Sequence, residues 1–555
     1  MEFTPRMPPD DLRRRYRAEG LWSDESFTAL SVVGLAASGD SRVHVLSDVR
    51  PYEGTVGDLG AQGERLAAAL TARGYSAGDV VAFQLPNWAE APASFYGLLR
   101  LGAVVVPIVH IYGHKEVGHI LRQARARVLI TADRFGREDF LANLDHESRG
   151  GLPDLELVIV VEAHGAAPPT GPESLTWDEV LAGEAPVPPV AEVDPDSPLL
   201  IGYTSGTTST PKGVVHTHRT MLAELRQMAL HRSRDGMPPP SEAPLGSMNG
   251  SPVGHMGGML AMFAPLMSGS GVHFLDRWDA GLVLATMRRE RLTSGSGATF
   301  FLNSLIDHDD FDAAVHGPLM AQVGLGGSPI PPEIVRRAAA LGISVSRSYG
   351  STEHPSISMT FHSDPEVARV TTDGRLMPGI ELRLVDNDGR DVSPGEPGEI
   401  LSRGPELFVG YVDPALTAAS LDADGWFATG DVGNLDENGF LTITDRKKDT
   451  IIRGGENISA AEIEEIVLQA PGVFEVAAVA APDSRYGEHV CVFVQLGEGG
   501  RRFGLEELRE RLHAAGLARQ KWPEELRFVD DLPRTASGKV QKNVLRKHAM
   551  NRRKT

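Results

Sequence analysis

Tyr203-Thr-Ser-Gly-Thr-Thr-Ser-Thr-Pro-Lys-Gly213 is the stretch on which the reading of this chain turns. It packs six hydroxyl side chains between Thr204 and Thr210, with Gly206 among them and Lys212 and Gly213 just beyond. Glycine lets backbone amides approach an anion closely. Hydroxyls add short donors, and a lysine adds a mobile point charge. The combination suits phosphate binding, although composition alone equally describes a Ser/Thr-rich surface loop. The Walker pattern GxxxxGK[ST] is absent, so this is not a P-loop of that type.

Working outward, the preceding half of the chain repeats a strand–helix rhythm. Leu59–Leu70 reads as a helix stopped by Gly74, followed by a strand at Val80–Gln84. A second helix to Leu101 precedes Val104–Pro107, Glu116–Ala126 leads to Arg127–Ile130, and Leu157–Val161 continues the series. Alternation at these lengths predicts parallel α/β layers. Pro-rich stretches at Ala166–Pro172 and Pro186–Pro198 read as loops. A helix over Thr217–His231 is predicted to follow the hydroxyl-rich loop directly, pointing its N-terminus back at it.

Beyond Gly379 the pattern becomes a small β-rich subdomain: Glu381–Val385 alternates, Asp388-Gly389 turns, and Glu399–Ser402 resumes a strand. After the charged run Asp445-Arg-Lys-Lys-Asp449, Ser459-Ala-Ala-Glu462 fits a capping box for a helix ending at Pro471-Gly472. Strands at Val476–Ala480 and Val490–Val494 and a helix at Leu505–Leu512 complete an α+β tail. The expected fold class is α/β: a large N-terminal domain of parallel layers with a small β-rich subdomain, plus a mobile C-terminal α+β domain. The boundary is placed near Lys448, giving domains 1–447 and 448–555.

Composition narrows the function classes. With 54 Lys+Arg against 74 Asp+Glu, the 555-residue chain carries a net charge of −20. That opposes a general nucleic-acid or anionic-membrane surface, which needs a basic footprint. The lone cysteine, Cys491, excludes an internal disulfide and a cysteine-rich metal site. The N-terminus lacks a basic segment leading into a long apolar one, which disfavours secretion. The apolar run Met259–Met267 is nine residues long and contains proline, far short of a membrane span. A cytoplasmic setting without a transmembrane segment is expected.

Further polar islands accompany the first. Tyr349-Gly-Ser-Thr-Glu353 sets a ring that could stack on a base four residues before a carboxylate suited to Mg²⁺. Trp426-Phe-Ala-Thr-Gly-Asp431 ends in an acid that could accept ribose hydroxyls, and Arg446 could pair with phosphate or ribose. Pro533-Arg-Thr-Ala-Ser-Gly-Lys539 presents a lysine after a flexible glycine. Lys539 lies more than 300 residues from Lys212, so a common ligand requires the domains to close over a cleft.

These five islands, in this order and with Asp445-RKKDTIIRGGENISAAEIE as the fourth, resemble the adenylate-forming (AMP-binding) superfamily in its acyl-CoA synthetase and fatty-acid–CoA ligase branch. The resemblance spans Tyr52 to about Lys542. It implies that Thr204, Ser205, Gly206, Thr207, Thr208 and Lys212 form the phosphate loop, with Thr204 and Glu353 at Mg²⁺. Tyr349 takes the adenine-stacking place. Gly327, Ser328, Gly350, Ser351 and Thr352 join it in the nucleotide pocket. Asp431 and Arg446 correspond to the ribose pair, Lys448 to the hinge, and Lys539 to the adenylation lysine. Gly454, Gly455, Glu456 and Asn457 look like the loop that swings in beside the pantetheine channel.

The implied reaction is ATP-dependent ligation of a small-molecule carboxylate to CoA through acyl-AMP and pyrophosphate. Orientation and charge stabilisation matter more here than acid–base chemistry. The resemblance puts the acyl pocket at Gly250-Ser-Pro-Val-Gly-His-Met-Gly-Gly258, with His255 as gate. Met256, Phe300, Gly324, Gly326 and His354 are further wall candidates. The absence of Lys or acid in those segments favours a medium-chain, alicyclic or aromatic acid over an amino acid. Gly254 stands where the family's pattern has an aromatic, and His354 after Glu353 is a second departure. A separate carrier protein as acceptor, a luciferase-like oxygenase and a non-catalytic acyl-nucleotide binder are the alternatives. A homodimer is the candidate assembly.

Overall fold

All five side chains of Val80-Val-Ala-Phe-Gln84 are buried, as are those of Val128–Ala132 and Leu157–Val161. Strands covered on both faces read as continuous apolar runs, and such strands belong to parallel sheets sandwiched by helices. The computed structural model describes residues 3, 5–148, 151–161, 172–204, 211–235, 246–269, 271–328, 330–393, 395–447, 449–453, 456–483, 485–497, 499–534 and 540–550. In it these runs form the centre of a seven-stranded sheet. From one edge the order is Lys212–Thr217, Pro198–Thr204, Val104–Pro107, Val80–Gln84, Val128–Ala132, Leu157–Val161 and Glu173–Thr176. Every neighbouring pair is parallel except Pro198–Thr204 with Lys212–Thr217, which is an antiparallel hairpin.

The helices Val56–Thr71 and Glu90–Leu101 cover one face and meet at Gly63 and Gly97. A Cβ on Gly63 would lie 2.7 Å from Ala93 O and Gly97 N, so the backbones touch only because both positions lack one. Two further sheets extend the large unit. In one, Gly246–Asn249, Gly271–Leu275, Arg42–Leu46 and Tyr52–Thr55 lie side by side. In the other, Gln322–Gly326 runs parallel to Ser344–Tyr349, which turns back to pair with Ser358–Met359. The apolar run Met259–Met267 falls within the helix Met256–Ser268. No helix among the described residues is long and apolar enough to cross a membrane.

The chain divides into two compact units. The larger holds the residues up to Val370, with Met377–Glu381 and Arg403–Trp426; the smaller holds Thr371–Leu376, Leu382–Ser402 and Phe427 onward. The smaller unit is α+β. One antiparallel sheet carries Gly398–Arg403, Phe427–Leu435 and Leu441–Arg446. A second has the long hairpin Val473–Asp483 with Gly487–Leu496 at its heart, and Glu525–Val529 added in parallel. Ser459 caps the helix Ala460–Leu468 by accepting the Glu462 N–H, one half of the expected capping box, while the Glu462 carboxylate accepts from Lys521 instead. Cys491 is fully buried in the long hairpin, and burial pushes its thiol up to about 12.

One expectation is corrected here. No helix follows the hydroxyl-rich loop directly: the strand Lys212–Thr217 intervenes, and the helix runs His218–Asp235. The β-branched pair Val214-Val215 is buried in the sheet, so those residues extend the hairpin. Six strand residues span ~20 Å, which sets the helix N-terminus at the far end of the hairpin from the loop.

Candidate active site

The hairpin fixes the first element of the site. Its register sets Tyr203 opposite Gly213 and Thr204 opposite Lys212. The hydroxyl Thr204 and the ammonium Lys212, eight positions apart in sequence, therefore flank the mouth of the loop. Ser205, Gly206, Thr207 and Thr208 lie outside the described residues. His119, on the helix His114–Ala124, braces the hairpin: its Nε2 is 3.1 Å from Pro211 O, and its ring meets Tyr203 edge-on.

The turn after Ser344–Tyr349 is gripped from three sides. His216 Nε2 donates to Thr352 O at 2.7 Å, and its Nδ1 stands 3.2 Å from Thr220 Oγ1. Burial pushes the His216 imidazole down to about 4, so it is neutral and fixed as a single tautomer. Ser351 N–H donates to His354 O at 2.8 Å, closing the turn around Thr352 and Glu353. Phe408 N–H donates to Glu353 O at 2.8 Å. Tyr349 ends the strand, held by Ile357 N–H at its carbonyl.

The most consequential contact involves a residue that the sequence reading missed. Tyr411 Oη donates to Glu353 Oε1 at 2.7 Å, and Lys212 Nζ sits 5.7 Å from the centre of the Tyr411 ring. One buried phenol thus orients the carboxylate and offers its face to the lysine. Burial first, then Glu353, raise the Tyr411 pKa, so the hydroxyl stays protonated as donor. Gly410-Tyr411 has no local signal; backbone pairing with the strand, through the Val214–Tyr411 bridge and the hydrogen bonds of Gly213 and Val215 to its neighbours, brings it beside the hairpin. The oxygen donors at Thr204 and Glu353 are hard, the type Mg²⁺ takes. Ser328 adds a buried Oγ with no hydrogen-bond partner among the described residues, beside Gly327 at φ 75°.

A narrow cleft, with room for about one water molecule, opens next to Tyr203, lined by Pro107, Leu200, Gly202, His255, Met256 and Thr352 among others. His255 sits at the N-terminus of Met256–Ser268. The missing aromatic before it has a steric reason: a Cβ at Gly254 would lie 2.5 Å from the Ile108 carbonyl and Val109 N. Gly324 and Gly326 lie elsewhere, in a strand bonded to Gly297. Phe300 is 45% exposed on Thr299–Ile306, its ring against Phe301 rather than in the cleft lining. His354 departs furthest from expectation. It is fully buried with Nε2 3.1 Å from Glu406 Oε1, so its side chain braces the turn from beneath and is not free to meet substrate.

In the smaller unit, Asp431 and Arg446 face each other across neighbouring strands, Arg446 Nε 3.0 Å from Asp431 Oδ1. Glu456 and Asn457 lie in the strand Glu456–Ile458, paired to Ile451–Arg453. Lys448, Gly454, Gly455 and Lys539 lie outside the described residues. Their flanks are anchored: Arg534 and Val540 form a bridge, Lys542 Nζ meets Glu464 Oε1 at 2.7 Å, and Arg546 pairs with Asp449. Burial alone would lower the Lys542 pKa, but Glu464 and its acidic neighbours hold it raised.

Residues 37–412 match the family described as AMP-binding enzyme, and 462–539 match the AMP-binding enzyme C-terminal domain. The chain is 33% identical over 545 residues to the medium-chain fatty-acid–CoA ligase of Escherichia coli (strain K12), covering 97% of this chain and 93% of that one. It is 34% identical over 488 residues to the indoleacetate–CoA ligase of Aromatoleum aromaticum, covering 87% and 91%. Among solved structures it superposes on ATP-bound MatB from Rhodopseudomonas palustris with a TM-score of 0.80 at 26% identity, over 94% of this chain and 99% of that one. The chain belongs to the AMP-binding, adenylate-forming enzyme family. Its activity class is acid–thiol ligation of the acyl-CoA synthetase type, through an acyl adenylate.

Proposed function

We propose that the chain is a cytoplasmic ATP-dependent carboxylic acid–CoA ligase acting on a medium-chain, alicyclic or aromatic acid. The observation that carries the acid class is the cleft beside Tyr203, whose lining includes Leu200, Met256 and Met259 and no Lys, Arg, Asp or Glu. A second carboxylate or an amine on the substrate would be desolvated there without a partner, at a cost of several kcal/mol. The names of the two similar ligases, one for medium-chain fatty acids and one for indoleacetate, support the same class.

In this reading Lys212 and the loop hydroxyls hold the terminal phosphates, Tyr349 stacks on the base, and Asp431 with Arg446 holds the ribose. Thr204 and Glu353 would hold Mg²⁺, which when bound neutralises phosphate charge and pyrophosphate as it leaves. Tyr411 keeps Glu353 Oε1 aimed. An acid oxygen entering past His255 attacks the α-phosphorus in line. A new P–O bond forms to the acid as the bond to pyrophosphate breaks, and Lys539 offsets the charge on the α-phosphoryl oxygens. Rotation about Lys448 then exchanges Lys539 for the loop of Gly455, Glu456 and Asn457. CoA thiolate attacks the acyl carbon and AMP leaves.

The test is pyrophosphate release with Mg-ATP across a panel of straight-chain, cyclohexane and aryl carboxylates, with and without CoA, and mass detection of products. Turnover on octanoate or aryl acetates with matching CoA thioesters is expected. Turnover confined to acetate, dicarboxylates or amino acids would overturn the acid class.

A further inference from the structure

Away from the nucleotide and acyl groups, the first turn of the helix His114–Ala124 meets the last turn of Phe140–Ser148. His114, His146 and Glu147 there bring one ligand atom each to within 4.8 Å of one another. His114 Nδ1 stands 2.9 Å and His146 Nδ1 3.7 Å from the same oxygen, Glu147 Oε1. The two imidazole rings lie with centroids 4.0 Å apart, tilted by 42°. Arg122 Nη1 holds the other carboxylate oxygen, Oε2, at 2.9 Å.

We propose that this cluster is a binding site for a transition-metal dication of the Zn²⁺ class, distinct from the Mg²⁺ requirement of the reaction. Three features argue for it. First, the donor set is two imidazole nitrogens and one carboxylate oxygen, which suits Zn²⁺, Co²⁺ or Ni²⁺ and not the all-oxygen shells of Mg²⁺ and Ca²⁺. A metal at ~2.0–2.2 Å from each donor joins pairs up to ~4 Å apart, so small side-chain adjustments close the shell. Second, hydrogen bonding engages only part of the cluster. One proton serves His114 and Glu147, while 3.7 Å leaves His146 beyond hydrogen-bond reach of the shared oxygen. Two protonated imidazoles this close would repel, whereas a single cation uses all three groups. Third, Arg122 occupies the place of an outer partner, turning Glu147 so that Oε1 faces both histidines.

His146 is 63% exposed, which gives the ion an entry route and leaves a coordination position for water. Occupancy would tie the start of one helix to the end of the other. The first of these also carries His119, the brace on Pro211 beside Lys212. The site would therefore stiffen a helix that abuts the nucleotide hairpin without contacting the substrates.

The experiment uses tag-free, chelator-stripped full-length protein, titrated with Zn²⁺ by calorimetry and with Co²⁺ by visible absorption. One equivalent is expected, with visible Co²⁺ bands of a low-coordinate nitrogen–oxygen site and a raised unfolding midpoint. His146→Ala, at an exposed position, should leave the apo midpoint unchanged and weaken Zn²⁺ by about 30-fold or more, with His114→Ala similar; Arg122→Gln should weaken it about 10-fold. Zn²⁺ affinity unchanged in both histidine variants, or no Zn²⁺ uptake by the wild-type chain below about 100 µM (about −5.5 kcal/mol), would overturn the proposal.

Discussion

Tyr411 is where a single atom does most for the proposed chemistry. Its hydroxyl is the side-chain donor to Glu353 Oε1, and its ring lies under Lys212. Phenylalanine keeps the ring and removes the hydroxyl, which strips a charge-assisted hydrogen bond worth ~1.5–3 kcal/mol. Tyr411→Phe is expected to raise the Mg²⁺ needed for half-maximal ATP–pyrophosphate exchange about 10-fold, with an unfolding midpoint close to wild type. A Mg²⁺ titration identical to wild type would remove Tyr411 from this role. At Gly254 any side chain strikes the Ile108–Val109 backbone. Gly254→Ala should therefore cut acid-dependent turnover while ATP binding, followed by calorimetry, persists. Legibility at this scale was uneven. Thr204 and Lys212 announce themselves in one local run. Tyr411 does not, because its partner is 58 positions away. His354 reads as substrate-facing from its place after Glu353, yet successive residues of a tight turn point in different directions, and its ring went under the turn to Glu406.

At the scale of elements, the strand–helix rhythm was legible because fully buried parallel strands are unbroken apolar runs with sharp ends. Val80–Gln84, Val104–Pro107 and Leu157–Val161 match their sequence-predicted bounds. The strand Lys212–Thr217 was not legible, since its charged start and Thr217-His218 end resemble the approach to a helix. Its identity comes from pairing with Pro198–Thr204, a tertiary fact. The smaller unit bears the proposed rotation. There Arg546 ties the helix that follows Lys539 to Asp449, next to Lys448, and Lys542 ties it to Glu464 on the helix Ala460–Leu468. A proline at 448 restricts that segment's backbone. Lys448→Pro is expected to slow thioester formation from supplied acyl-AMP far more than adenylation. Equal rates of thioester formation in variant and wild type would place the hinge elsewhere.

Over the whole molecule, four histidines of the larger unit, His110, His216, His218 and His273, are each pushed down to about 4 from 6.5 chiefly by burial. Unfolding frees them to bind protons between those limits. The unfolded chain then holds more protons than the fold, and stability falls as pH drops through that window. Glu224, raised to about 8 from 4.5 by burial and then by Glu406, acts in reverse. The fold keeps a proton that the unfolded chain loses, so this contribution declines as pH climbs from 4.5 to 8. With the lowered histidines, His231 and His362 among them, outnumbering the raised carboxyls Glu224, Asp445, Glu464 and Glu475, the unfolding midpoint should rise from pH 4.5 to 6.5 and slip gently toward 8. Scanning fluorimetry at constant ionic strength checks this, and a midpoint that falls between pH 4.5 and 6.5 would contradict it.

The two-step reading of the reaction meets its most direct test in Lys539→Ala, assayed in separated half-reactions on the best acid of the panel. Removing a charge used only at the adenylation transition state should cut acid-dependent ATP–pyrophosphate exchange by about 100-fold or more. Conversion of supplied acyl-AMP and CoA to thioester should stay within a few-fold of wild type. Equal losses in both halves, or none in the first, would contradict the account.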